Sequence, residues 1–324
     1  MHTFIQDVLL HLQKKYNNLS QLTFVLPSKR AGLFLYNELS KSITNPVFAP
    51  KIFSIEEFIE ELSSLYKVSN SELLFELYNI YLNTSELENK DSFEVFSKWA
   101  QILLQDFNEI DRYLLDPNSI FDYLYAIKQT NHWSLEDNQT QIIKDYLRFW
   151  NSLKPLYNNF KNTLLQQGKG YQGLIYRKAV NNLEDYIQKN KNTKLIFIGF
   201  NALNTAETTI IQELIHSDIA EVFWDIDKHF IENSFHDAGL FMRQNKKWRF
   251  FESHPFNWLH SHYTQQKKIE VVGLPKHVNQ AKYIGELLQK LEKTSSLQTT
   301  ALVLGNEDLI FPVLNSIPKE IETV

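Results

Sequence analysis

Two stretches far apart in this chain repeat one arrangement, an unbroken apolar run, a turn and an amphipathic helix. The first is LTFVLPSKRAGLFLYNEL, Leu22–Leu39, and the second is KLIFIGFNALNTAETTIIQELI, Lys194–Ile215. A short run with no polar alternation suits a strand buried on both faces, the habit of parallel sheets covered by helices. The repeat therefore constrains the chain to an α/β fold in which two distant segments share a sheet.

The rest of the chain fills in around those units. Thr23–Leu26 reads as a strand ended by Pro27, and Lys51–Phe53 as a second. Ser54-Ile55-Glu56-Glu57 has the capping-box spacing, which stabilises a helix start by about 1 kcal/mol. The helix behind it would bury Ile55, Phe58, Ile59 and Leu62. No strand is expected from Ser71 to Gln188. There Phe93, Phe96, Ala100, Leu103, Phe107, Ile110 and Leu114 recur at helical steps. Pro117 should open the next helix. A longer stripe runs through Ile142, Tyr146, Phe149, Leu153, Leu156, Phe160 and Leu164 to an end at Gly168 and Gly170. Pro155 falls inside that stripe and should kink or split its helix, because it lacks an N–H. Tyr171–Ile187 reads as one further helix.

The α/β pattern resumes with strands at Leu195–Ile198 and Glu221–Trp224. Asn204-Thr205-Ala206-Glu207 forms a second cap, Ser234–Asn245 a helix and Trp248–Tyr263 an irregular aromatic stretch. Composition changes at Gln265–Lys268. Beyond it come a strand at Ile269–Gly273, a helix at Lys276–Lys293, a strand at Ala301–Leu304 and a helix at Glu307–Asn315. That βαβα unit is too small to close a core of its own, so the polypeptide is expected to be cut from something longer.

The 324 residues allow two domains, or one with a large insertion. With 43% apolar and 22% charged residues the chain can pack a core. It has no cysteine, which excludes disulfides, thiol catalysis and cysteine-ligated metal, and fits a cytoplasmic location. The N-terminal residues read as an amphipathic helix with Phe4, Val8, Leu9 and Leu12 on one face, not as a signal peptide. No apolar run suits a membrane span. A formal charge of −5 argues that contact with nucleic acid must be local or shared with a partner.

A nucleotide-binding P-loop needs a glycine-rich turn ending in Lys and Ser or Thr, and no such string occurs. Gly168-Lys169-Gly170 follows a helix and reads as its C-terminal cap. The magnesium-holding acids of an NTP-driven motor would follow the strand Leu195–Ile198, where Gly199, Phe200 and Asn201 stand instead. Pro27-Ser28-Lys29-Arg30 is the best anion candidate. Ser28 can cap the following helix, and Lys29 and Arg30 add positive charge beside its free N–H groups. The competing reading is a capped helix with two solvated cations.

Asp225 and Asp227 follow a strand and read as caps or turn residues before they read as metal ligands. His254, His260 and His262 beside Trp258 read as a surface aromatic loop rather than zinc ligands. Basic clusters occur at Lys189, Lys191 and Lys194, at Lys246, Lys247 and Arg249, and at Lys267 and Lys268. Only Trp248 and Phe250 offer aromatics beside one of them. No catalytic or metal set emerges.

At four strings the chain resembles the N-terminal part of AddB-like proteins of bacterial DNA-break repair, helicase-like chains with a C-terminal PD-(D/E)XK nuclease domain. FVLPSKRAGLFL (Phe24–Leu35) is similar to motif Ia of superfamily 1 helicases, and LIFIGFNALNTAE (Leu195–Glu207) to the Walker B strand with its acids lost. IEVVGLPKHVNQAKYIGELL (Ile269–Leu288) and TTALVLGNEDLIFPVLNSIP (Thr299–Pro318) resemble the opening of the second helicase half, and GKGYQGLIYRKAV (Gly168–Val180) is also family-like.

The resemblance implies a RecA-like, P-loop NTPase-like domain 1A from residues 1–69 and 190–264. It implies a helical 1B insertion from 70–189 and the start of a 2A-like α/β domain from 265–324. It further implies a non-catalytic role in DNA guidance or partner docking, with DNA and an AddA-like helicase–nuclease subunit as partners. No cofactor would serve this region, magnesium belonging to the nuclease domain of a parent chain. The alternative from the residues alone is a Rossmann-like domain binding a nucleotide or small molecule at the strand ends near Pro27, Gly199 and Gly273.

Overall fold

The computed structural model describes residues 3–42, 47–84, 90–131, 141–256, 258–294, 297 and 300–321. They cluster into two compact units, Met1–Thr264 and Gln265–Val324.

The larger unit begins with α1 (Phe4–Lys15), β1 (Leu22–Leu26), α2 (Lys29–Ser42), β2 (Lys51–Ser54) and α3 (Ile55–Ser63). Next come β3 (Tyr66–Lys67), α4 (Asn70–Leu82), α5 (Phe93–Arg112), α6 (Pro117–Asn131), α7 (Gln141–Gln166) and β4 (Lys169–Gly170). The chain continues through α8 (Gln172–Asn181), α9 (Leu183–Lys189), β5 (Lys194–Ile198), α10 (Thr205–His216) and β6 (Ala220–Phe223). It closes with β7 (Ile226–Asp227), α11 (Lys228–Glu232), α12 (Leu240–Asn245), α13 (Phe250–Ser253) and β8 (Leu259–His260).

The two apolar runs do share a sheet. Its order is β2-β1-β5-β6 and every pairing is parallel, with Val25 opposite both Phe53 and Phe197. All five residues of β1 are buried, as the unbroken apolar run requires. One face carries α1 and α2, whose Val8, Leu9, Leu12, Leu35 and Leu39 pack with Phe24, Ile196, Ile198 and Phe223. The other face carries α3, α8 and α10, with Phe58, Ile59, Ile175, Ile210 and Leu214 around Val25, Leu195 and Phe197. Burying each such side chain stabilises the fold by about 1.5–3 kcal/mol before entropy is counted. Both faces being covered is what keeps a parallel sheet dry.

A separate core lies among the helices between β3 and β4, where Leu77, Phe96, Phe107, Tyr157, Phe160 and Leu164 are buried together. At its base the carboxylate of Asp111, fully buried, accepts hydrogen bonds from the hydroxyls of Tyr157 and Tyr171 and from Arg177 Nε. Gly173 sits where α8 crosses α5. A Cβ there would lie 2.1 Å from the Asn108 carbonyl oxygen.

Several expectations are corrected. The helix is not split at Pro155, because Leu153, Leu156, Tyr157 and Phe160 are buried on either side of it. The side chain of Ile142, placed in that stripe, lies outside the described residues. The region expected to lack strands contains β4, which pairs in parallel with β3. The helix expected over Tyr171–Ile187 breaks at Asn182, whose side-chain amide donates to the Leu62 and Ser63 carbonyls at 3.2 Å. Ser234–Asn245 is helical only from Asp237, first as a 3-10 turn and then as α12.

The smaller unit holds α14 (His277–Thr294) and α15 (Ile310–Leu314). Gly285 lets α14 meet the Ser316 carbonyl, where a Cβ would come within 2.1 Å. Ala281, Leu309 and Val313 form its small core. The two strands expected here do not form. Residues 269–273 and 301–304 join no ladder among the described residues, and Val271 and Val303 are 90% and 85% exposed. An apolar run supplies the propensity for a strand, but a strand also needs a neighbour, and a two-stranded pair alone is marginal in water.

Candidate functional site

In a parallel sheet every strand ends on the same edge. From β1 the chain moves outward to β2 on one side, and the later strands β5 and β6 lie on the other. The order therefore reverses between β1 and β5, the crevice where open α/β sheets place ligands. Ser28, Lys29 and Arg30 follow β1, and Gly199, Phe200 and Asn201 follow β5. The two candidate sets thus border the same switch point from neighbouring strands.

On the β1 side, Ser28 Oγ accepts the Ala31 N–H at 3.2 Å and caps α2 as expected. Lys29 is not a free cation. Its Nζ lies 2.7 Å from Glu57 Oε1. Glu57 in turn closes the capping box of α3, accepting the Ser54 N–H at 3.0 Å. The hydrogen bond from Lys29 holds the Glu57 carboxyl below its ordinary range, and the same bond raises the Lys29 ammonium.

Arg30 makes no ion pair with a carboxylate among the described residues. Its guanidinium lies 5.9 Å from the centre of the Phe34 ring. Leu33, Phe34 and Tyr36 are more than half exposed on the same helix. The sequence marks the cations; the apolar residues Leu33, Phe34 and Tyr36 among the polar ones of this helix are the signal for its open face, and the Glu57 partner is set by tertiary structure alone.

On the β5 side, Gly199 has φ +74°, a left-handed turn that glycine adopts without strain. Phe200 is buried, its ring 5.9 Å from that of Phe197. The exposed Asn201 offers its carbonyl to Asn245 Nδ2 at 3.4 Å. A Cβ built on Gly199 would lie 3.8 Å from the Phe4 ring, so α1 brings an aromatic side chain to this turn. The next acid along the chain, Glu207, is consumed in the α10 capping box with Asn204 and by the Tyr176 hydroxyl at 3.2 Å. Burial pushes its carboxyl up.

The remaining candidates resolve into structure. Burial raises Asp227, but three backbone N–H donors, from His229, His262 and Tyr263, outweigh that and leave it below its ordinary range. It staples a loop, as a turn residue does. Asp225 is raised by burial, with His260 Nε2 3.9 Å away. His254 stacks on Phe250 with centroids 4.1 Å apart, and His260 on His262 at 5.5 Å. No group of three or more metal-ligating side chains occurs among the described residues. Gly168, at φ +69°, ends α7, and Lys169 pairs with Glu72 at 2.6 Å.

Lys194 is held by Asp218 at 3.0 Å and Glu221 at 3.8 Å. Trp248, considered as a stacking platform beside Lys246 and Lys247, is buried against Trp224. No helix among the described residues is long and apolar enough to cross a membrane. Compared with known proteins, the chain matches no family model and no curated relative.

Proposed function

We propose that this chain is a helicase-like scaffold that guides DNA without nucleotide chemistry, as part of an AddB-like helicase–nuclease in double-strand break processing. On this reading the β2-β1-β5-β6 sheet belongs to a RecA-like domain and α4–α7 to an inserted helical arm. DNA is the ligand, an AddA-like subunit is the partner, and magnesium serves only a nuclease region of the parent.

One observation carries the reading. At the switch point, the turn after β5 presents Gly199, a core-packed Phe200 and Asn201, while the turn after β1 presents Arg30 beside exposed Leu33 and Phe34. A cation next to open apolar and aromatic surface suits a single strand, whose phosphates need charge and whose bases need a face to lie on. Lys29 contributes less, being engaged by Glu57.

The test is fluorescence anisotropy with a labelled single-stranded oligonucleotide across a salt series, beside an ATP hydrolysis assay. Salt-sensitive binding weakened by Arg30→Ala, with no ATP turnover, is the expected result. ATP hydrolysis lost in Lys29→Ala would overturn it. A Rossmann-like small-molecule site draws support from the same crevice. A nucleotide that raises the melting temperature through Gly199 contacts would favour that second reading.

A further inference from the structure

The edge strand β6 has no outer neighbour among the described residues; Val222 is half-buried there, and Ala220 and Trp224 are buried. In a parallel pair each strand's residues alternate between its two neighbours. Leu195 N–H donates to the Ile219 carbonyl at 2.8 Å, and Gly199 N–H to the Phe223 carbonyl at 3.0 Å. Ile219, Glu221 and Phe223 therefore face β5, and Ala220, Val222 and Trp224 present their main-chain groups to the other side. No strand among the described residues pairs there. The layers that cover the sheet nevertheless continue past this last strand. His11 and Lys15 of α1 with Trp258 stand on one side, His216 at the end of α10 with Phe250 and His254 on the other. Between them lies a cleft of about 580 Å³ with β6 as its floor. The indole N–H of Trp224, which also lines it, is buried without a hydrogen-bond partner among the described residues.

We infer that this cleft takes an extended peptide segment of a partner protein, added as a strand to β6 through the main chain of Ala220, Val222 and Trp224. Three features select a peptide. The unspent groups recur at every second residue, the period at which an extended backbone returns them. The walls are largely aromatic and suit alternate side chains. The lysines of the rim are already neutralised, Lys15 by Glu221 at 2.9 Å and Lys194 by Asp218 and Glu221, which disfavours a polyanion. Natural proteins usually cover or blunt such an edge. Here β6 carries no proline, and its one charged side chain, Glu221, is tied inward to Lys15 and Tyr16. The inference stands on the cleft alone and does not depend on the DNA reading.

The experiment uses the whole chain, isotopically labelled, with acetyl-Thr-Val-Thr-Val-Thr-amide as the probe. The same peptide N-methylated at all five residues, so that neither of its edges can donate, is the control. Amide exchange at Ala220, Val222 and Trp224 is expected to slow by about tenfold or more with the first peptide and to stay unchanged with the second. Val222→Pro removes only an outward N–H, so it leaves the β5 ladder intact and is expected to abolish the effect. Unchanged exchange with either peptide, or equal binding of both, overturns the inference without needing the variant. So does protection of the same amides by a second copy, seen as a dimer on sedimentation, or by a single-stranded oligonucleotide.

Discussion

Lys29 Nζ lies 2.7 Å from Glu57 Oε1, joining the first turn of α2 to the first turn of α3 at the ends of the paired strands β1 and β2. The bond divides the work of two adjacent cations. Lys29 is committed to a neighbouring helix, and Arg30 is left to solvent and the Phe34 ring. A phosphate at this corner would compete with Glu57 for Lys29 but not for Arg30.

Arg30→Ala is therefore expected to weaken single-strand binding more than Lys29→Ala. It should also lower the slope of log affinity against log salt by about 0.7, the share of one single-strand phosphate contact. Glu57→Gln keeps the α3 capping pattern, frees Lys29 and should strengthen binding. Anisotropy titrations at several salt concentrations measure all three. Equal losses from the two cations would remove the division of labour argued here.

Asp111 joins α5, α7 and α8 through Tyr157, Tyr171 and Arg177, and Arg177 Nη2 also donates to the carbonyls of Ile110 and Leu115 at 2.9 and 2.6 Å. Removing the acid leaves Arg177 Nε and two buried hydroxyls, those of Tyr157 and Tyr171, without their acceptor. Asp111→Ala should lower stability by about 3–5 kcal/mol in urea unfolding. Tyr171→Phe removes one donor from a carboxylate that keeps others and should cost about 1 kcal/mol.

These cases separate what the residues announce from what they do not. Leu195–Ile198 could be placed because an unbroken apolar run has few homes besides a doubly covered strand. The two capping boxes could be placed because each is settled within four residues. Asp111 could not be singled out, since its partners lie 46, 60 and 66 residues away. Pro155 misled as a point of splitting because its missing N–H is local, whereas the burial that holds its helix continuous is not. The segments 269–273 and 301–304 misled for the opposite reason, their local propensity being strand-like with no neighbour to complete it. Of the candidate site, the cap and the charges were legible and the Glu57 bond was not.

Gly173 marks a helix crossing that admits no side chain. Its N–H donates to Asn108 Oδ1 at 2.7 Å, and any Cβ would strike the Asn108 carbonyl. Gly173→Ala should destabilise by about 1–3 kcal/mol, the cost of overpacking a fitted contact. Gly273 has open space around it, so Gly273→Ala should be neutral or slightly stabilising. Denaturant midpoints for the pair decide whether α5 and α8 meet as closely as described.

Glu207 makes a prediction with an unusual sign. Burial raises its folded carboxyl above the ordinary value of 4.5 despite the Asn204 N–H and Tyr176 hydroxyl that favour the charge. A raised acid binds its proton more readily in the folded state than in the unfolded one, so stability falls as pH rises through the window between the two values. The penalty is complete above the folded value and vanishes below both. Glu207→Gln keeps the acceptor that the capping box needs, because Gln serves at that position too. The variant should be more stable than the parent at neutral pH, with the difference closing as pH falls below the ordinary glutamate value. Urea midpoints of both proteins across that range give the answer. A difference that does not change with pH would mean that the carboxyl is not desolvated as its burial requires.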